Sequence, residues 1–167
     1  MKKYDLMHQI NSRGTFLCTK LCLPYLQKSR SPHVLNLGPP LSAIKHAGWW
    51  APHPSYTLAK FGMSAYTLAH AAEFREDGVA VNSLWPLTTI ATAAVQNLLG
   101  GSDMVSKSRN AEIMADAAHL ILTAPKECTG QCFIDEHVLR AAGVKDLDKY
   151  AITPGTHEDA LAPDFFV

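Results

Sequence analysis

Tyr56 and Lys60 stand four residues apart in the segment Ser55-Tyr56-Thr57-Leu58-Ala59-Lys60. On a helix this spacing puts both side chains on one face, about one turn apart. A free phenol with a pKa near ~10 is a poor base at neutral pH, but an ammonium within about 4–6 Å favours the phenolate. A phenol tuned in this way can exchange a proton with an alcohol or carbonyl oxygen while a hydride moves. The same spacing is also met by an exposed lysine beside a half-buried tyrosine on any amphipathic helix. The surrounding elements must therefore decide between the two readings.

Leu58, Phe61, Ala65, Leu68, Ala69 and Ala72 recur at intervals of three and four, which predicts a helix over 55–76 that stops at Asp77-Gly78. A first amphipathic helix is expected over 4–27 from Leu6, Ile10, Leu17 and Leu21, with Gly14 tolerated inside it and Ser29-Arg30-Ser31-Pro32 ending it. His33-Val34-Leu35-Asn36-Leu37 has the length and apolar content of a buried strand, stopped by Gly38-Pro39-Pro40. Residues 79–85 read as an interior strand closed by Pro86, and Cys132-Phe133-Ile134 as a third strand. Between them, 87–104 reads as helical or mobile, and 109–123 as a helix carried by Ile113, Ala117, Leu120 and Ile121. The part from Gly143 onward reads as an irregular wrap over the surface. Helices and strands alternate with connections long enough for parallel crossovers, which is α/β architecture. The expectation is one domain over 1–167, with its core in 4–135.

With 167 residues, 47% hydrophobic and 18% charged, the chain has a globular composition. A formal net charge of zero gives no electrostatic footprint for nucleic acid or an anionic membrane. No apolar run approaches the length of a membrane span, and Met1-Lys2-Lys3-Tyr4-Asp5 does not open a signal peptide, so a cytoplasmic or other intracellular location is expected. The pairs Cys18/Cys22 and Cys128/Cys132 lack partners at zinc-site spacing and are expected to be small buried hydrophobes. His46 and His53 flank Trp49-Trp50 in a loop, and no metal site is expected there.

The strand 33–37, the loop after it, the Tyr56/Lys60 helix and then Val81-Asn82-Ser83-Leu84-Trp85-Pro86 resemble, in order, the second half of the short-chain dehydrogenase/reductase family. Ile10-Asn11-Ser12-Arg13-Gly14 matches the family's helix asparagine. The stretches Asn36-Leu37-Gly38-Pro39-Pro40-Leu41, Ala59-Lys60-Phe61-Gly62-Met63-Ser64, Leu84-Trp85-Pro86 and Asp164-Phe165-Phe166 point to a narrower subgroup within it. The resemblance implies a Rossmann-type three-layer sandwich, a parallel sheet with helices on its faces. It implies Tyr56 as proton donor or acceptor, and Lys60 as the group that lowers its pKa and hydrogen-bonds the nicotinamide ribose. Asn11 would hold a proton-relay water. Pro86, Ile90 and Thr92 fall where the family's strand-end loop meets the nicotinamide and its carboxamide, with Leu87 standing where many members have Gly. Two plainer roles stay open: Asn11 as a polar helix residue and Thr92 as a helix N-cap. The family usually ends this strand in Ser-Ser. Gly38-Pro39 occupies those places, and Ser42 either takes over as the substrate-oxygen donor or is a surface loop serine.

The resemblance also implies a glycine-rich turn that seats the cofactor pyrophosphate at a helix N-terminus. No Gly-x-x-x-Gly-x-Gly or Gly-x-Gly-x-x-Gly occurs in the 167 residues. The fold expected is therefore a partial Rossmann sandwich without its N-terminal strands, leaving strand 33–37 as a parallel edge. The reaction implied is hydride transfer between NADP or NAD, NADP slightly preferred, and a small apolar alcohol or carbonyl substrate. Helices 4–27 and 55–76 resemble those of the family's dimer interface and are expected to make a homo-oligomer. The competing expectation is a non-catalytic interaction protein derived from the family, which keeps these helices and has lost nucleotide binding.

Overall fold

The structure, a computed structural model, describes residues 1–45, 48 and 50–167. His46 and Trp49 of the predicted Trp/His loop lie outside the described residues. The chain forms two compact units. The first comprises Met1–Trp85, Ile121–Phe133 and Phe166, and the second comprises Pro86–Leu120, Ile134–Phe165 and Val167.

In the first unit the predicted opening helix is present but is not regular. α1 (Lys2–His8) runs into a π-helical turn over Gln9–Arg13 and continues as α2 (Gly14–Leu26). The Gly14 amide reaches back to the Gln9 carbonyl, so the helix is widened at Asn11 rather than simply tolerating the glycine. Beside the widened turn, the Ser12 hydroxyl donates to the Ala59 carbonyl at 2.9 Å. A Cβ on Gly62 would come within 2.4 Å of Ser12 Oγ. The π turn is thus seated on a helix that only glycine lets approach so closely.

That second helix is α3 (Pro54–Glu73), with Pro54 in its first turn where a missing amide is harmless. The strands are β1 (His33–Asn36), β2 (Ala80–Trp85) and β3 (Cys132–Ile134), in the sheet order β1-β2-β3. β1 and β2 are parallel, with His33 opposite Ala80 and Asn36 opposite Ser83. All six residues of β2 are buried, as a central strand with both faces covered requires, whereas β1 is only partly buried and, among the described residues, pairs with β2 alone. Ala71 and Phe74 at the end of α3 pack on Val79 and Val81, with Leu23, Leu26 and Val34 around them. The backbone before β3 is clipped to β2 by side chains. Asn82 Nδ2 donates to the Cys128 carbonyl at 2.7 Å, the Gln131 amide donates to Asn82 Oδ1 at 2.9 Å, and the Val81 amide donates to Thr129 Oγ1 at 2.9 Å. The expectation of buried cysteines fails: Cys18 and Cys22 are exposed and Cys128 and Cys132 half-buried, all four as free thiols. Cys18 and Cys22 lie on α2, Cys128 in the clipped loop and Cys132 at the start of β3.

In the second unit, 87–104 is neither one helix nor featureless. Isolated β-bridges at Thr88 and Ile90 precede a π turn at Val95–Leu99 and the short α4 (Gly101–Ser106). α5 (Glu112–Leu122) lies within the predicted helix over 109–123. α6 (Asp135–Ala141) was not expected from the sequence. The segment from Gly143 is not only a surface wrap: Leu147, Tyr150 and Leu161 are buried here, and Phe166 is buried in the first unit. Among the described residues no helix is long and apolar enough to cross a membrane.

Candidate active site

α3 carries Tyr56 and Lys60 on the face turned to the end of β1. The Lys60 ammonium donates to the Leu37 carbonyl at 3.2 Å, one residue beyond the strand, and lies 6.0 Å from the Tyr56 ring centroid and 5.4 Å from that of Trp85. Two further side chains on this helix fix the strand end. Ser64 Oγ donates to the Pro39 carbonyl at 2.6 Å, and Thr67 Oγ1 accepts from Asn36 Nδ2 at 2.8 Å. Lys60, Ser64 and Thr67 follow the three-and-four spacing of one helix face, so a single stripe of α3 sets the position of residues 36–39.

This packing gives a physical reason for Gly38. A Cβ there would come within 2.7 Å of Ser64 Oγ and 3.2 Å of the Ser64 amide nitrogen. The place where the family usually has a serine is filled from α3 instead. Ser42 lies in a 3₁₀ turn, Leu41–Lys45, and is exposed. Asn11 and Lys60 line one groove of about 540 Å³ along β1, with Cys18, Val34, Leu37 and Met63. The Asn11 amide donates to the Met7 carbonyl at 3.0 Å, within its own helix.

The remaining predicted residues belong to the second unit. Pro86 is buried, Ile90 half-buried and Thr92 exposed. Thr92 Oγ1 accepts from the Val95 amide at 3.3 Å, the capping role that was left open. The strand-end segment is strung on alternate amides. Leu87 donates to Asp135 Oδ1 at 2.9 Å, Thr89 to the Ala162 carbonyl at 2.9 Å and Ala91 to the Arg109 carbonyl at 2.9 Å.

Three charged residues behind this segment were not anticipated. Asp135 is fully buried and also accepts from the Glu136 amide at 2.7 Å. Burial pushes its carboxyl above the usual range, against the two amides and Arg109. Arg109 is buried and paired with Glu136, which also takes Arg140 at 2.8 Å. Burial pushes the Glu136 carboxyl up, but the hydrogen bonds and charges of Arg109 and Arg140 outweigh it and hold the group below its ordinary value. No motif signalled these residues; a charged Asp-Glu pair directly after an apolar strand was the one clue.

Fold and site define a class: Rossmann-type oxidoreductases that carry tyrosine and lysine one turn apart beside the end of a parallel strand. The model of the family described as enoyl-(acyl carrier protein) reductase matches residues 1–121, and the chain belongs to the short-chain dehydrogenase/reductase family. More particularly, it is similar to hydroxysteroid dehydrogenase-like protein 2, with 52% identity to that of Danio rerio over 100% of this chain and 39% of the relative. The human protein of that name is 47% identical over 99% of this chain and 38% of its own length. A crystal structure from Xanthomonas campestris, provisionally assigned as a dehydrogenase, superposes with a TM-score of 0.90 at 49% identity, over 100% of this chain and 59% of that one. A short-chain dehydrogenase from Mycobacterium thermoresistibile gives 0.88 at 42% identity, over 100% and 57%. The chain thus spans well under half the length of the curated relatives, and its fold is a partial Rossmann sandwich.

Proposed function

We propose that this chain carries the proton-transfer half of an NAD(P)-dependent alcohol/carbonyl oxidoreductase. The observation that carries the reading is the Lys60 ammonium, anchored to the Leu37 carbonyl and 6.0 Å from the Tyr56 ring centroid. In the reductive direction Tyr56 Oη donates its proton to the substrate oxygen, and in the oxidative direction it takes that proton back. Lys60 favours the phenolate electrostatically. Asn11, in the same groove as Lys60, holds the water that returns the proton to solvent.

By resemblance, Lys60 and Tyr56 would hold the nicotinamide ribose of a cofactor; for its carboxamide the resemblance points to the Ile90 backbone and Thr92 of the second unit. When bound, the cofactor supplies or accepts the hydride. The pyrophosphate end finds no glycine-rich turn in this sequence, so that seat lies outside these 167 residues. NADP is slightly preferred over NAD, by resemblance. The name hydroxysteroid dehydrogenase-like and the aromatic cluster in which Phe166 stacks on Tyr56 and packs on Phe61 and Trp85 support a small apolar substrate.

Leu6, Ile10, Leu21 and Tyr25 on the first helix and Leu58 and Leu68 on α3 expose apolar surface, which supports a homo-oligomer formed through these helices. In a fusion that supplies the remaining part of a relative, replacing Tyr56 with Phe should lower kcat by about 10²–10⁴-fold with cofactor binding little changed. Turnover within a few fold of the parent would refute the role. A second reading, a non-catalytic interaction protein, is favoured by the missing glycine-rich turn. It predicts no thermal shift with NADPH or NADH even when the preceding part of a relative is supplied.

A further inference from the structure

Phe166 is 2% exposed although its neighbours Phe165 and Val167 are not buried. Its ring stacks on the Tyr56 ring with centroids 6.2 Å apart and planes 18° apart. It also packs on Phe61 at 5.2 Å and on Trp85 at 5.7 Å. The Lys60 ammonium faces the Trp85 and Tyr56 rings of the same cluster, at 5.4 and 6.0 Å. Phe166 is therefore wedged between the two aromatic rings that Lys60 addresses.

The backbone gives a second, independent observation. Phe166 has φ 70°, and among the described residues it is the one non-glycine residue with a positive φ. A bulky side chain in the left-handed region is unfavourable by about 1–3 kcal/mol and persists only where its surroundings over-determine it. What over-determines it here is the ring's seat against Tyr56, Phe61 and Trp85.

We infer that Phe166 is a positioning residue for Tyr56: its ring backs the phenol ring and holds it at a fixed place relative to the Lys60 ammonium. The inference rests on the hydride-transfer reading for the importance of that placement, but the contact itself is testable without turnover. A phenol free to rotate away from the ammonium loses the tuning on which proton transfer depends. Residue 166, distant in sequence from the Tyr-x-x-x-Lys motif, then sets its geometry.

The test uses the full 167-residue chain labelled with 3-fluorotyrosine, with the Tyr56 ¹⁹F resonance assigned by its loss in Tyr56→Phe. In the unsubstituted chain that resonance should be displaced from its denatured position. In Phe166→Leu it should move at least halfway back, while the other four tyrosine resonances hold. Phe166→Trp, which restores an aromatic face, should return the position toward the parent. An unmoved Tyr56 resonance in a folded Phe166→Leu overturns the inference. If the leucine variant does not fold, Phe166→Met takes its place: a Tyr56 resonance that moves while the other four hold supports the inference, and an unmoved one overturns it.

Failure of the functional reading looks different. There, in a fusion that supplies the remaining part of a relative, Tyr56→Phe leaves turnover unchanged although the resonance still responds to Phe166. If only the positioning role fails, Tyr56→Phe abolishes turnover while Phe166→Leu leaves resonance and kcat as they were.

Discussion

Residues that look incidental in this sequence hold the site in place, and two of them make sharp predictions. Asp135 accepts from the Leu87 and Glu136 amides deep in the second unit. Asp135→Ala leaves both buried donors unsatisfied and should destabilise by about 1–3 kcal/mol in urea melts. Asp135→Asn keeps an acceptor for both and should lose much less; equal losses would show that the two amides do not depend on this side chain. His70 is 1% exposed between Phe16, Tyr66 and Phe74, and among the described residues neither ring nitrogen has a hydrogen-bond partner. Burial pushes its pKa below the usual 6.5, against the charge of Glu73. The folded chain therefore binds fewer protons at His70 than the unfolded chain does below about pH 6.5, and stability falls as the pH drops through that range. His70→Phe keeps the aromatic stack and removes both orphaned nitrogens. It should raise stability by about 1 kcal/mol at neutral pH and flatten the decline on acidification; a steeper acid decline would contradict this account.

At the scale of elements, what could be read from the sequence follows periodicity, and what could not follows tertiary contact. α3 and β2 were legible because apolar residues repeat at the helical interval in the first and dominate a short β-rich run closed by Pro86 in the second. The Tyr56/Lys60 pair was legible because it lies inside one such element. α6 was missed because it starts at the residue after β3, with no turn signal and with two acidic residues in its first turn. Leu147, Tyr150, Leu161 and Phe166 are isolated apolar residues without a period, so their burial is decided by partners far away in sequence. The departure at Gly38 was visible as a letter, but its cause was not: Ser64 Oγ occupies the space a side chain would need. Gly38→Ser, which restores the family's usual residue, should therefore destabilise by about 1–3 kcal/mol through overpacking. Ser64→Ala alone strips the Pro39 carbonyl of its donor, but combined with Gly38→Ser it makes room. A double-mutant cycle should show coupling of at least about 0.5 kcal/mol in the favourable direction; strict additivity would mean that the two residues do not compete for the space.

For the molecule as a whole, the open edge of β1 is the feature with the widest consequence. β1 pairs on one side with β2, and its other side lines the groove that holds Asn11, Cys18, Leu37 and Lys60. An unpaired parallel edge bordered by apolar side chains is unstable against association unless another segment covers it. The chain spans 59% of the Xanthomonas campestris structure with which it superposes throughout its length. If the unmatched part of that protein carries the glycine-rich turn that the family resemblance implies, joining it to this chain should cover the groove and supply that turn together. Two measurements then move in concert. Fluorescence of a bound apolar dye should fall in the fusion relative to this chain, and NADPH should raise the melting temperature of the fusion alone. At a hundredfold excess over Kd the expected stabilisation is about 2.7 kcal/mol. The shift should shrink in a fusion carrying Lys60→Met, because the ribose contact assigned to the ammonium is gone while the new glycine-rich turn is intact. A fusion that covers the groove yet shows an NADPH shift unaffected by Lys60→Met would leave the ammonium with its bond to the Leu37 carbonyl as a purely structural anchor. Tyr56 would then have inherited its neighbour without the chemistry.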